Sequence, residues 1–133
     1  MKTRHSVSAA IFVLALSSVP ALAQPAASPP AAKQCFFTNQ FETWRAPDAR
    51  TINIRVRGNQ YYRLGLGSEC HALLDPGARL ITTFRGTSTV CSPLDWDLKV
   101  SSGIGSPAIP CIVRTMTRLS PTEVAALTSK TRP

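Results

Sequence analysis

The sequence predicts a mainly β protein: a small antiparallel sheet or partly closed barrel with a short C-terminal helix. Three observations predict it. Apolar and polar residues alternate along Thr51–Arg57, Tyr62–Leu66 and Leu94–Val100, the period of strands with one buried face. Turn signals, Gly58-Asn59 and Asp75-Pro76-Gly77, punctuate these runs. Near the end, Ser120 suits an N-cap, Pro121 the first helical turn and Glu123 the capping-box position.

Taken in order, Phe36 to Trp44 admits two readings. Phe37, Phe41 and Trp44 have helical spacing, yet the segment is short and aromatic enough for a strand. The hairpin is more constrained. With Gly58-Asn59 alone as the loop, Ile54 would face Arg63 and a charge would enter the apolar row. A three-residue loop, Gly58 to Gln60, instead pairs Val56 with Tyr62, Ile54 with Leu64 and Ile52 with Leu66. A one-residue slip would turn a whole face over, so the odd-length loop is favoured. Arg79 to Arg85, with Leu80, Ile81 and Phe84, forms the next strand, and Leu94 to Val100 the one after. Ser102 to Pro110 is a Gly/Pro loop, and Cys111 to Met116 is β-branched and strand-forming. Val124, Ala125 and Leu127 give the closing helix its apolar side.

Residues 1–23 fit an export signal. Lys2 and Arg4 make a positive start, Ala9–Val19 is apolar, and Ala21-Leu22-Ala23 is a small-x-small cleavage site before Gln24. The apolar run is shorter than the about 20 residues that span a bilayer. Residues 24–34 form a Pro/Ala-rich leader with too little apolar surface to fold. Residues 35–129 then make a single disulfide-bonded domain. Signal removal takes the fifteen basic residues down to thirteen against seven acidic ones, and ten of the thirteen are arginines. Arginine suits bidentate contact with carboxylate or phosphate. Outside the cytoplasm, such anions are lipopolysaccharide, anionic lipid headgroups, acidic glycans and acidic proteins. All four cysteines, Cys35, Cys70, Cys91 and Cys111, lie beyond the signal. An even set in a short exported chain reads as two disulfides. Four cysteines allow three connectivities. The expected one joins Cys70 to Cys91, tying the hairpin's end to the next strand segment, and Cys35 to Cys111, clamping the domain's ends.

One further pattern runs through the chain: Cys35, Phe41-x-x-Trp44-Arg45, Asp48-x-Arg50-Thr51, Tyr62-Arg63-Leu64, Cys70, Leu73, Cys91, Asp95, Cys111 and Leu119-Ser120-Pro121-Thr122-Glu123-Val124. It resembles a family of small exported proteins of Gram-negative bacteria that carries only a domain-of-unknown-function label. The resemblance covers about Cys35 to Leu127. It implies a periplasmic address and one compact domain, and it lends no activity.

The candidate surface comes from the hairpin. With Ile52, Ile54 and Val56 facing the core, Arg55, Arg57, Tyr61 and Arg63 share the other face. The expected register sets Arg55 against Arg63, and opposed like charges destabilise a sheet. A bound anion would relieve them, or a neighbouring acid, for which Asp95 and Asp97 are candidates. That pair could also act as two carboxylates about 6.5–7 Å apart on one strand, a spacing suited to a glycosidic bond. Such arginines more commonly form a solvated face, and such acids a polar strand face. His71 beside Cys70 is a weak nucleophile pair because a disulfide sulfur does not attack. Trp44, Trp96, Phe37 and Tyr62 could form an aromatic shelf, though core packing is their commoner use. No Cys-x-x-Cys occurs and His71 is the one histidine after the signal, so no metal, cofactor or nucleic-acid partner is expected.

Three function classes compete. The first is a non-enzymatic periplasmic binding or interaction module with an anionic partner on the arginine face. The others are an envelope hydrolase using Asp95 and Asp97, and a purely structural or stress-related envelope factor. Export is tested by intact-mass measurement on periplasmic protein, which should give a chain starting at Gln24; a full-length cytoplasmic product would refute the signal.

Overall fold

The computed structural model describes residues 35–86 and 88–133; the expected signal and leader lie outside the described residues. Among the described residues, nine strands form three antiparallel sheets. Strands β1 (Phe36–Phe37) and β6 (Thr89–Val90) pair in a two-stranded ladder. Strands β2 (Phe41–Asp48), β3 (Thr51–Val56), β4 (Gln60–Leu66) and β9 (Val113–Arg118) make a four-stranded sheet in the order β2-β3-β4-β9. Strands β5 (Arg79–Phe84), β7 (Trp96–Ser101) and β8 (Ile109–Pro110) make a three-stranded sheet in the order β5-β7-β8. Helix α1 (Pro121–Ala126) follows β9, with Ser120 and Glu123 forming the predicted capping box. The mainly β class is therefore present, as three sheets and not as a closed barrel.

Alternation explains the core. Ile52, Ile54 and Val56 from β3 and Tyr62, Leu64 and Leu66 from β4 form one buried row. They pack with Trp96, Leu98 and Val100 of β7, and with Phe36 and Val90 of the small ladder, in a single cluster. Tyr62 lies 5.1 Å from Phe36 between ring centres, and Trp96 5.1 Å from Phe84. The Phe36–Trp44 segment resolves as β1, a 3-10 turn at Thr38–Gln40 and the start of β2. Leu94 to Val100 is not one strand. A 3-10 turn at Pro93–Asp95 precedes β7, so Asp95 lies before the strand.

Two further expectations are corrected, the hairpin register and the disulfide connectivity. The hairpin loop has three residues, but they are Arg57, Gly58 and Asn59. Val56 pairs with Gln60, Ile54 with Tyr62 and Ile52 with Leu64. Gly58 and Asn59 both hold positive φ, 82° and 56°, a conformation that Gly and Asn adopt at least cost. The reversal therefore centres on Gly58, one residue earlier than expected. The register moves by two, which preserves parity and keeps the predicted apolar face.

The disulfide connectivity is also different: Cys35 joins Cys91 and Cys70 joins Cys111. The β1–β6 register, Phe36 to Val90 and Phe37 to Thr89, makes Cys35 and Cys91 the next rung of that ladder. Their Cα atoms are 4.2 Å apart. Cys70 donates its backbone N–H to Ala49 beside the four-stranded sheet, and Cys111 donates to Leu98 of β7. The second bridge thus ties the two larger sheets together.

Peptide mapping without reduction should recover these two pairs and no free thiol. Removing the second bridge as Cys70→Ala with Cys111→Ala opens a loop of 41 residues. Urea unfolding should show a loss of about 4 kcal/mol if chain entropy governs the effect; recovery of a Cys70–Cys91 peptide would overturn the connectivity.

Candidate functional site

The outer face of the four-stranded sheet carries the predicted surface. Parity puts Arg55, Tyr61 and Arg63 together on it, opposite the buried row. Arg57 sits in the exposed turn, where its N–H donates to the Gln40 carbonyl. Arg55 does not oppose Arg63. Arg55 pairs across the strands with Tyr61, and Arg63 with Asn53. The two arginines are therefore diagonal neighbours with an acid each. Arg55 Nε donates to Glu42 Oε2 at 3.0 Å, and Arg63 Nη1 lies 3.9 Å from Glu123 Oε1. Neither Asp95 nor Asp97 supplies that acid.

The sequence does not reveal Glu42 or Glu123 as partners of the arginines, for different reasons. Glu42 falls in the Phe36–Trp44 segment, which admits two readings. Glu123 carries the signature of a helix cap and serves as one, accepting from the Ser120 N–H and hydroxyl. The Ser120 backbone N–H, then its hydroxyl, hold the Glu123 carboxyl below its ordinary value, with a smaller contribution from Arg63.

The C-terminal segment crosses this face. Asn53 is buried beneath it and donates to the Thr131 carbonyl at 2.9 Å. Arg132 folds back to donate to the Val124, Ala125 and Leu127 carbonyls at the end of α1, satisfying groups the helix leaves open. Among the described residues, two cavities border this segment. The larger, about 810 Å³, runs between the hairpin end, with Tyr61, and α1, with Pro121, Val124 and Ala125; Arg118 and Arg132 border it. The smaller, about 330 Å³, is lined by Asn53, Arg63, Leu127 and Thr131 among others. Tyr61 thus lines one cavity, Arg63 the other. Burial raises the Tyr62 phenol above its ordinary value, partly offset by Arg118.

The other candidates have local work. Asp95 Oδ2 accepts from the backbone N–H of Cys91 and of Ser92, each at 2.8 Å. It holds the loop that carries the Cys35–Cys91 bridge. These bonds, the Cys91 N–H foremost, keep the Asp95 carboxyl below its ordinary value. A carboxylate so stabilised as an anion is a poor proton donor. Asp97 lies on β7 across from Thr83. His71 is exposed, 3.2 Å from Glu69, and its neighbour Cys70 is in a disulfide. Tyr62 and Trp96 are core residues, Trp44 packs against the core, and Phe37 is exposed, so the four do not form a shelf. Among the described residues no group of acids, cysteines and histidines could hold a metal ion, and no helix is long and apolar enough to cross a membrane.

These features define a small β protein with two disulfides and an arginine-bearing sheet face partly roofed by its own C-terminal segment. The chain belongs to DUF6491, a family of unknown function, whose match covers residues 1–133. No curated protein and no solved structure matches it.

Asp95 yields a pH test. Its folded-state affinity for protons is lowered, so its contribution is present above the ordinary carboxylate value and lost as pH falls below about 4. Asp95→Asn should lower the Tm at pH 7 and flatten the fall in Tm between pH 5 and pH 2; parallel Tm curves for the two proteins would exclude this role.

Proposed function

We propose that the chain is an exported, periplasmic, non-enzymatic binding module that takes an anionic amphiphile of the envelope. The observation that carries this reading is Tyr61. It stands between Arg55 and Arg63 on the sheet face and lines the groove of about 810 Å³, whose other wall is α1, with Pro121, Val124 and Ala125 beside the Arg63-paired Glu123. A groove of this size is in the range of small-molecule sites, about 300–1,000 Å³. An apolar chain against Val124 and Ala125 would leave its charged head near the arginines. Guanidinium groups suit phosphate or carboxylate. The ion pairs already there do not oppose this. Arg55 and Glu42 are well exposed, as are Arg63 and Glu123, and exposed pairs are weak enough to exchange for a ligand. The expected export signal, the two disulfides and the excess of basic over acidic residues beyond that signal fit an anionic partner outside the cytoplasm.

Titration with dodecyl phosphate below its micelle concentration, followed by calorimetry, tests the reading. Binding should weaken about tenfold, or 1.4 kcal/mol, in Arg55→Ala with Arg63→Ala, and again in Tyr61→Ala. The arginine effect should shrink at high salt, with Tm nearly unchanged. Equal binding of neutral dodecyl maltoside, or undiminished binding by the double variant, would defeat it.

A further inference from the structure

On the other sheet, β5 is an edge strand of six residues. Edge strands expose unpaired backbone groups, and proteins blunt them with charges, prolines, bulges or shortness. The remaining edges show these devices. Strand β2 contains Pro47, Glu42 and Arg45 and has two register irregularities. Strand β9 carries Arg114 and Arg118 and has one. Strand β8 is two residues long and ends in Pro110. In β5 the stretch Leu80-Ile81-Thr82-Thr83-Phe84 has no charge, proline or bulge and pairs with β7 without a break. Ile81 is 45% exposed. The inner row, Leu80, Thr82 and Phe84, is only half-buried, whereas its β7 counterparts Val100, Leu98 and Trp96 are buried. No hydrogen bond to its outer edge is formed among the described residues.

Charge selects the occupant. Arg79 and Arg85 are exposed and share the outer face with Ile81 and Thr83. A second copy pairing antiparallel about Thr82 would set Arg79 against Arg85 at both ends, and like charges directly opposed are unfavourable. Residues 24–34 contain Pro25, Pro29 and Pro30 and no acid, so they match neither the edge nor its charge. We infer that β5 accepts an extended acidic segment of another protein by strand addition, with acids six residues apart opposite Arg79 and Arg85 and β-branched residues opposite Ile81 and Thr83. Main-chain bonds then supply affinity, and the alternate side chains supply selection.

The probe is the blocked peptide Glu-Thr-Val-Thr-Val-Thr-Glu, with Lys-Thr-Val-Thr-Val-Thr-Lys as its counterpart, added to the disulfide-intact protein. The acidic peptide should bind about tenfold tighter at low salt, the size that two cross-strand charge pairs changing sign allow, with amide shifts centred on residues 79–84. Arg79→Glu with Arg85→Glu should invert the preference, which also shows that the variant is folded. Equal binding of both peptides, no binding, or shifts confined to other strands would overturn the inference. So would a protein dimer that buries β5.

Discussion

The outer surface depends on the parity of the β3–β4 ladder. Ile52, Ile54 and Val56 must face the core together with Tyr62, Leu64 and Leu66. With β3 held in place, a slip by one residue would turn Arg63 into the core and expose Tyr62, Leu64 and Leu66. A slip by two leaves both faces intact. That is why the loop could settle around Gly58 and Asn59 without disturbing which residues are buried. What a two-residue slip does change is the partner of each outer residue. It takes Arg55 away from Arg63 and gives it Tyr61, and it sets Arg63 beside Asn53.

The crosslinks reinforce this arrangement at two different scales. Cys35–Cys91 extends a ladder of only two pairs, which backbone bonds alone would hold weakly. Asp95 steadies the same place through the Cys91 and Ser92 amides. Cys70–Cys111 acts over a longer range, between segments bonded to different sheets. Both of its sulfur-bearing residues are buried, so it belongs to the interior and not to the redox chemistry of an exposed thiol.

Above the sheet, the C-terminal segment turns a flat polar face into a contoured one. Asn53 anchors it through Thr131, and Arg132 closes the end of α1. Glu123 caps the helix and meets Arg63, so one carboxylate links the local structure of the helix to the electrostatics of the face. The groove beside Tyr61 is a product of that docking. Basic charge in this protein therefore has two settings: near α1 it borders a cavity, and at β5 it flanks an open strand edge.

Much of the secondary structure was legible because it rests on short-range rules. Period-two alternation marked the apolar rows of β3 and β4, and Ser120, Pro121 and Glu123 marked α1. The face holding Arg55, Tyr61 and Arg63 followed from the same alternation. The sequence by itself determined which residues turn inward, because parity survives any even shift in register. Only the tertiary structure decided which residues meet across strands and sheets. The Cys35–Cys91 rung required β1 to pair with β6, more than fifty residues away, and Glu42 reached Arg55 only once β2 lay beside β3. Such pairings depend on how distant strands close around one shared core, and no local pattern encodes that.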